Sequence, residues 1–152
     1  TLYERVFTQF NTFILLIVLS VLVIAAIIAW IFFGKRIIRY FRIKKLEKKY
    51  QQFLQAFSRQ AEEISQGFSR EKTESALSTW KKYLEQLERK PYTKLTTREV
   101  IKMDADALLG NSLRMIDNAI YGNQIAVDEP LNSLKTIAEQ RFTKKINQIR
   151  HE

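Results

Sequence analysis

The hydrophobic pattern of this chain begins with a long continuous apolar stretch. Residues 13–33 carry no charge, and Ser20 is their only polar side chain. As a helix, these 21 residues are about 31 Å long, which matches the hydrocarbon core of a bilayer. A soluble core helix keeps one face polar toward water, so the run predicts a single transmembrane helix. It is longer than the apolar part of a cleaved signal peptide, and no small-residue cleavage site follows it.

The pattern after the span remains helical. Residues 35–66 contain neither Pro nor Gly, so we expect the helix to continue into a basic stalk over residues 34–67. Its apolar positions recur at steps of three, four, three, four and then seven, with Gln60 at the skipped position, as in a heptad seam. This seam is interpreted either as one face packed on the chain's own domain, which we prefer, or as a self-association surface. The seam consists of Ile43, Leu46, Tyr50, Phe53, Phe57 and Ile64.

Residues 68–152 predict a small helical domain, so the fold class is all-α. Three apolar stripes recur at helical spacing, and no alternation of period two indicates a strand. The stripes are Ala76, Leu77, Trp80, Leu84 and Leu87, then Leu109, Leu113, Ile116 and Ile120, and last Leu131, Leu134, Ile137, Ala138, Phe142, Ile146 and Ile149.

Start and stop signals bound these helices. Ser69 is predicted to cap the first helix, and Pro91 to end it. Thr96 and Glu99 have the spacing of a capping box, which starts a short helix that ends near Met103.

The last two helices have similar signals. Asp104 or Asp106 is expected to start the second long helix, and Gly122 to end it in the left-handed conformation. After an extended link over residues 124–127, Asp128 is expected to cap the last helix, with Pro130 in its first turn.

Charge sets the predicted orientation of the span. Residues 34–49 contain eight Lys or Arg and one carboxylate, whereas residues 1–33 contain one charge of each sign. Most of the net charge of +9 therefore lies just after the span. By the positive-inside rule, residues 1–12 lie outside and the C-terminal part is cytoplasmic. Because the chain begins at Thr1 rather than Met, we also expect an upstream segment to have been removed or left out.

The cations after the span are expected to contact anionic lipid head groups, which attract each of them by about 1 kcal/mol. A nucleic-acid patch is the other interpretation, and the position beside the span favours lipid. The predicted lipid-contact residues are Lys35, Arg36, Arg39, Arg42, Lys44 and Lys45.

Catalytic chemistry finds little support in the composition. The chain has no Cys and a single His, His151, which argues against thiolate metal sites, a cysteine nucleophile and a histidine-based triad. There is no glycine-rich phosphate loop and no serine elbow. The carboxylates Asp104, Asp106 and Asp128 stand at expected helix caps, and Asp117 could pair with Arg114 or a lysine. We therefore predict a non-enzymatic protein without metal or cofactor.

Three segments resemble one bacterial family. They are Trp80-Lys-Lys-Tyr-Leu, Leu95-Thr-Thr-Arg-Glu-Val and Leu113-Arg-Met-Ile-Asp-Asn-Ala-Ile-Tyr-Gly. Together with the span and its basic flank, they resemble accessory proteins of MoxR ATPase/von Willebrand A-domain operons, such as the Bat-type aerotolerance proteins.

The resemblance implies a role at the bacterial inner membrane. It implies an adaptor that works with a MoxR-type AAA+ ATPase and von Willebrand A-domain proteins, and it carries over no catalytic residue. The matching positions, which are expected to maintain the fold or to bind a partner, are Thr96, Thr97, Glu99, Asp117, Tyr121 and Gly122.

Two functional hypotheses follow. The first is a single-pass inner-membrane adaptor whose cytoplasmic helical domain docks partner proteins. The second is a homo-oligomeric structural subunit of an envelope or secretion complex, assembled through the span and the stalk. A channel subunit is disfavoured because Ser20 alone offers little to line a pore.

Overall fold

The computed structural model describes the backbone of residues 2–122 and 126–152 and the side chains of residues 12–122 and 126–152. All regular structure in these ranges is helical, which confirms the predicted all-α fold class. The elements are α1 (Leu2–Gln66), α2 (Arg70–Glu88), a 3₁₀ turn (Tyr92–Lys94), α3 (Thr97–Met103), α4 (Ala107–Tyr121) and α5 (Asp128–His151).

The chain divides into two units at Arg42. Unit 1 is Thr1–Arg42; its described residues belong to α1, and its apolar side chains between residues 13 and 33 are exposed. Ser20 donates its hydroxyl proton to the carbonyl of Ile17 at 2.8 Å, so its polar group is satisfied within the helix. Among the described residues, α1 is the one helix long and apolar enough to cross a membrane.

Unit 2, Ile43–Glu152, begins well before residue 68, where the sequence had placed the start of the domain. The difference arises because the stalk contributes core side chains. Tyr50, Phe53, Phe57 and Ile64 are buried, and Leu46 is partly buried against the same core. This packing corresponds to the intramolecular interpretation of the seam.

Side-chain contacts show the relative directions of the helices within unit 2. Phe53 stacks on Tyr83 with ring centroids 4.3 Å apart, and the amide of Gln60 donates to the hydroxyl of Ser75 at 3.0 Å. The second half of α1 is therefore antiparallel to α2. The indole N–H of Trp80 donates to the carbonyl of Leu134 at 2.8 Å, and Glu88 pairs with Arg141. Thus α2 runs parallel to α5.

The three predicted stripes form the core of unit 2. All of their members are buried except Phe142, which is partly buried and packs against the core. Trp80 is fully buried with its indole N–H bonded, so its one polar atom carries no desolvation penalty.

Two predicted helix starts are confirmed in detail. The Thr96 hydroxyl accepts from the backbone N–H of Glu99, and the Glu99 carboxylate accepts from the backbone N–H of Thr96 at 2.7 Å. Asp106 caps α4 by accepting from the backbone N–H groups of Leu108 and Leu109. These bonds satisfy donors that a helix start otherwise leaves unpaired.

Other predicted helix ends differ from the structure. Ser69 precedes α2 without a side-chain capping bond, and Asp128 is the first residue of α5 rather than its cap, which is Val127. Gly122 is extended (φ −111°, ψ −161°) and not left-handed. A Cβ there would lie 2.5 Å from the carbonyl oxygen of Asn118, so close approach, not a positive φ, requires glycine.

The left-handed helix end lies elsewhere. Arg89, which follows α2, has φ 58°, and its backbone N–H donates to the carbonyl of Glu85. Pro91 thus stands beyond the end of α2, as predicted. Residues 124 and 125 of the link predicted over residues 124–127 lie outside the described residues.

Candidate partner-binding groove

Four of the six matching positions, which come from separate segments, line one surface groove. The groove is bounded by α2, by the segment from the 3₁₀ turn to the start of α3, and by the last turns of α4. Its volume is about 450 Å³. We call it the α2–α4 groove, and its polar and aromatic lining includes Lys81, Lys82, Thr96, Thr97, Asp117 and Tyr121.

Helix geometry brings these side chains together. Lys81 and Lys82 follow the buried Trp80 and therefore flank the packed face of α2. Asp117 and Tyr121 lie one turn apart on α4, beside the buried Ile116 and Ile120. The same packing that buries the stripes thus places their polar neighbours around the groove.

Lys81 forms a fixed point in the groove wall. Its ammonium group donates to the carbonyl of Leu95 at 2.9 Å, which ties α2 to the segment before α3. Partial burial lowers the pKa of Lys81, and the carboxylate of Asp117 opposes that shift. The groove therefore holds a partly desolvated cation opposite an anion.

The matched residues divide by role. The hydroxyl of Thr96 and the carboxylate of Glu99 bond each other and the backbone at the start of α3, so they maintain the fold. Those hydrogen bonds also lower the pKa of Glu99. Tyr121 is 78% exposed at the groove rim, so its ring is available to a second molecule.

An ion cluster at the other end of α2 was missed by the sequence reasoning. Arg141 of α5 pairs with Glu88 at 2.9 Å and with Asp104, and it approaches Asp106 at 3.6 Å. The hydroxyl of Tyr92 donates to Glu88 at 2.6 Å. The cluster therefore joins α2, the 3₁₀ turn and the α3–α4 link to α5.

Asp104 thus has a different role from the predicted cap. It follows α3, and its carboxylate binds Arg141, whereas Asp106 is the residue that caps α4. The sequence does contain a signal for the buried position of Arg141. This residue lies three residues after Ala138 and seven after Leu134, so it falls on the apolar stripe of α5. A cation at such a position requires buried counter-charges.

Pairing lowers the pKa of two carboxyl groups in the cluster, those of Glu88 and Asp104. Burial alone would raise the pKa of Glu88, but hydrogen bonds from Tyr92 and Arg141 and the nearby cations outweigh it. Burial likewise acts to raise the pKa of Asp104, and Arg141 reverses that effect. The described residues contain no group of three or more His, Cys, Asp or Glu side chains suited to hold a metal ion.

The predicted lipid-contact residues all lie on α1. Lys35, Arg36, Arg39 and Arg42 belong to unit 1, and Lys44 and Lys45 belong to unit 2. All of them are exposed except Arg39, which is partly buried, and Lys44 also approaches Glu47 at 3.7 Å. Lipid contact at these positions stays a prediction.

Comparison with known proteins adds no relative. No protein-family model matches the chain, and neither a curated protein nor a solved structure shows significant similarity to it.

Proposed function

We propose that this chain is a non-enzymatic, single-pass adaptor of the bacterial inner membrane, whose cytoplasmic unit docks a partner protein in the α2–α4 groove. The observation that carries the proposal is the convergence of Lys81, Thr97, Asp117 and Tyr121, from three segments, on one concave surface. Aromatic side chains exposed beside fixed charges are typical of protein interfaces.

The family resemblance supplies the class of partner. We propose a MoxR-type AAA+ ATPase, a von Willebrand A-domain protein, or a complex of both. The resemblance rests on Thr97, Asp117 and Tyr121 among other positions, and these three line the groove. The exposed apolar surface of residues 13–33 supports the membrane anchor.

The homo-oligomer alternative loses one of its two supports. Its stalk interface required the seam, and Phe53, Phe57 and Ile64 are buried inside unit 2. A substitution such as Phe53→Glu would therefore act through the fold of the unit as well as through any assembly. The span remains the other possible self-association surface.

The proposal is tested by capture of partners from native membranes with the full chain in mild detergent. We expect the intact chain to retain a MoxR-type ATPase or a von Willebrand A-domain protein, identified by mass spectrometry. Tyr121→Ala should reduce that capture at least tenfold, because a tyrosine that acts as a binding hot spot contributes about 2 kcal/mol or more, on the order of 30-fold.

Met115→Ala is the matched control, because Met115 is an exposed apolar residue on the same helix and does not line the α2–α4 groove. Equal loss in both variants would reflect damage to α4 rather than a groove contact. Capture that is unaffected by Tyr121→Ala, or absent for the intact chain, would contradict the proposal.

A further inference from the structure

One end of unit 2 carries cations from two helices that are distant in sequence. The stacked rings of Tyr50 and Phe142 lie 4.2 Å apart, and α1 and α5 run antiparallel here. Residues before Tyr50 and residues after Phe142 therefore extend toward the same end. We call this the entry end, since it contains Ile43, the first residue of the unit.

The two helices reach a similar level at the entry end. From the stacked pair, α5 continues nine residues to His151, and α1 extends seven residues back to Ile43. At 1.5 Å per residue these lengths are about 13 Å and about 10 Å. Cations in the last turns of α5 and the first turns of this part of α1 therefore share one end.

Positive charge dominates both contributions. On α1 the entry end has Lys45, Lys48 and Lys49, and on α5 it has Lys144 and Lys145. Residues 143–150 contain no carboxylate. The described ion pairs leave these five lysines without a carboxylate within 4.0 Å.

The carboxylates nearest this surface have other partners. Glu47 pairs with Lys44, and Glu88 pairs with both Lys90 and Arg141. Asp104 and Asp106, which line a cleft together with Lys144 and Lys145, are bound or approached by Arg141. These acids are therefore paired with or approached by cations. Arg150 and Glu152 also lie at this end of α5 with opposite charges, so the five lysines supply most of the net positive charge of the entry end.

We propose that the entry end, with α5 as well as α1, binds the anionic lipid surface of the membrane that the chain spans. The occupant is a bilayer of anionic phospholipid, because residue 43 follows the span by only ten residues. This tether holds the lysines at a high effective concentration near the head groups. The inference rests on the proposed membrane anchor and adds a second lipid contact at the far end of the sequence.

The test uses the full chain in nanodiscs of phosphatidylcholine, alone or mixed with phosphatidylglycerol. Because the chain has no Cys, one fluorophore can be placed at His151→Cys, at the end of α5, or at Asn132→Cys, near its start. Quenching by a head-group spin-labelled lipid reports proximity to the surface. We expect quenching at position 151 that requires phosphatidylglycerol, and much weaker quenching at position 132.

Removal of the two lysine charges on α5 tests whether the entry end is the surface that contacts the lipid. Lys144→Gln with Lys145→Gln should lower the equilibrium constant for docking, measured from the quenching at position 151, by roughly 30-fold, the effect of losing two cations near an anionic surface. The matched control is Arg70→Gln with Lys72→Gln. It removes the same charge from exposed positions at the start of α2, the opposite end of the unit.

A fluorophore at Val23→Cys separates the two proposals. Quenching there by an acyl-chain spin label establishes the span, whatever happens at position 151. The lipid contact of α5 is refuted if position 23 is quenched but position 151 is not. It is also refuted if the quenching at position 151 does not depend on phosphatidylglycerol, or is unchanged by the double substitution of Lys144 and Lys145. If position 23 is not quenched, the anchor and the lipid contact both fail.

Discussion

Some buried polar side chains in the described part of unit 2 have hydrogen-bond partners, and one does not. Arg141, Glu88 and Asp104 are each less than one-fifth exposed, and they satisfy one another together with Tyr92. The hydroxyl of Tyr83, in contrast, is buried without a hydrogen-bond partner among the described residues. Burial raises the pKa of both tyrosines, and the negative charge of Glu88 adds to that shift for Tyr92.

The two tyrosines provide a matched pair of substitutions. Tyr92→Phe removes a hydroxyl bonded to Glu88 and should lower the free energy of unfolding by about 1.5–3 kcal/mol, the value of a hydrogen bond to a charged group. Tyr83→Phe removes an unpaired hydroxyl and should be neutral or stabilising. Denaturant unfolding of the full chain in detergent measures both, and equal losses would show that Tyr83 has a partner.

The ion cluster predicts a stability that depends on pH. The folded-state pKa values of Glu88 and Asp104 lie below their ordinary values of 4.5 and 3.8. The folded protein thus binds fewer protons than the unfolded chain, and the stabilisation is present above about pH 4.5 and is lost as the pH falls through the folded-state values. Melting temperatures between pH 7 and pH 3 measure this loss.

A substitution assigns the acid sensitivity to the cluster. Glu88→Gln cannot titrate, so the variant should lose part of the decline in melting temperature on acidification. An acid profile identical to that of the unchanged chain would place the sensitivity elsewhere.

At the scale of elements, periodicity predicted which helix faces are buried. The stripes of α2, α4 and α5 were visible because apolar residues that recur at 3.6-residue spacing have to face a common core. Capping signals with two reciprocal partners, such as Thr96 and Glu99, were equally clear. The residue that ends a helix in the left-handed conformation was not predicted correctly, since Arg89 adopts that conformation and Gly122 does not.

Two leucines on α4 test the buried face directly. Leu113 is fully buried, and Leu108, five residues earlier, is 46% exposed. Leu113→Ala should cost about 2–5 kcal/mol of unfolding free energy through the cavity it leaves, whereas Leu108→Ala should cost less than about 0.5 kcal/mol. Urea unfolding that shows equal effects would contradict the assigned face of α4.

The candidate groove was only partly accessible from sequence. Thr96, Thr97, Asp117 and Tyr121 were singled out by the family resemblance, and the groove that gathers Thr97, Asp117 and Tyr121 depends on how α2, α3 and α4 pack. Arg141 was overlooked because a charged residue is usually assigned to solvent, and its carboxylate partners lie about 35–55 residues away in sequence. Long-range pairing of this kind has no local signal.

At the scale of the whole molecule, the chain joins an apolar helix to a separately packed helical unit. Composition predicted the long apolar helix, and its orientation in a membrane stays a prediction from charge. The packed helical unit begins at Ile43, before the predicted residue 68. A seam that packs within a chain and a seam that packs between chains have the same sequence pattern. The burial of Phe53 and Phe57, with Phe53 stacked on Tyr83, distinguishes them in this chain.

The most direct test of the account is the sidedness of unit 2 in a bacterial inner membrane. A single cysteine at the exposed position Asn132 can be treated with a maleimide that does not cross membranes. We predict that the chain fractionates with membranes and that Asn132→Cys reacts only after the cells are permeabilised. Reaction in intact cells, or recovery of the chain in the soluble fraction, would contradict a single-pass anchor with a cytoplasmic helical unit.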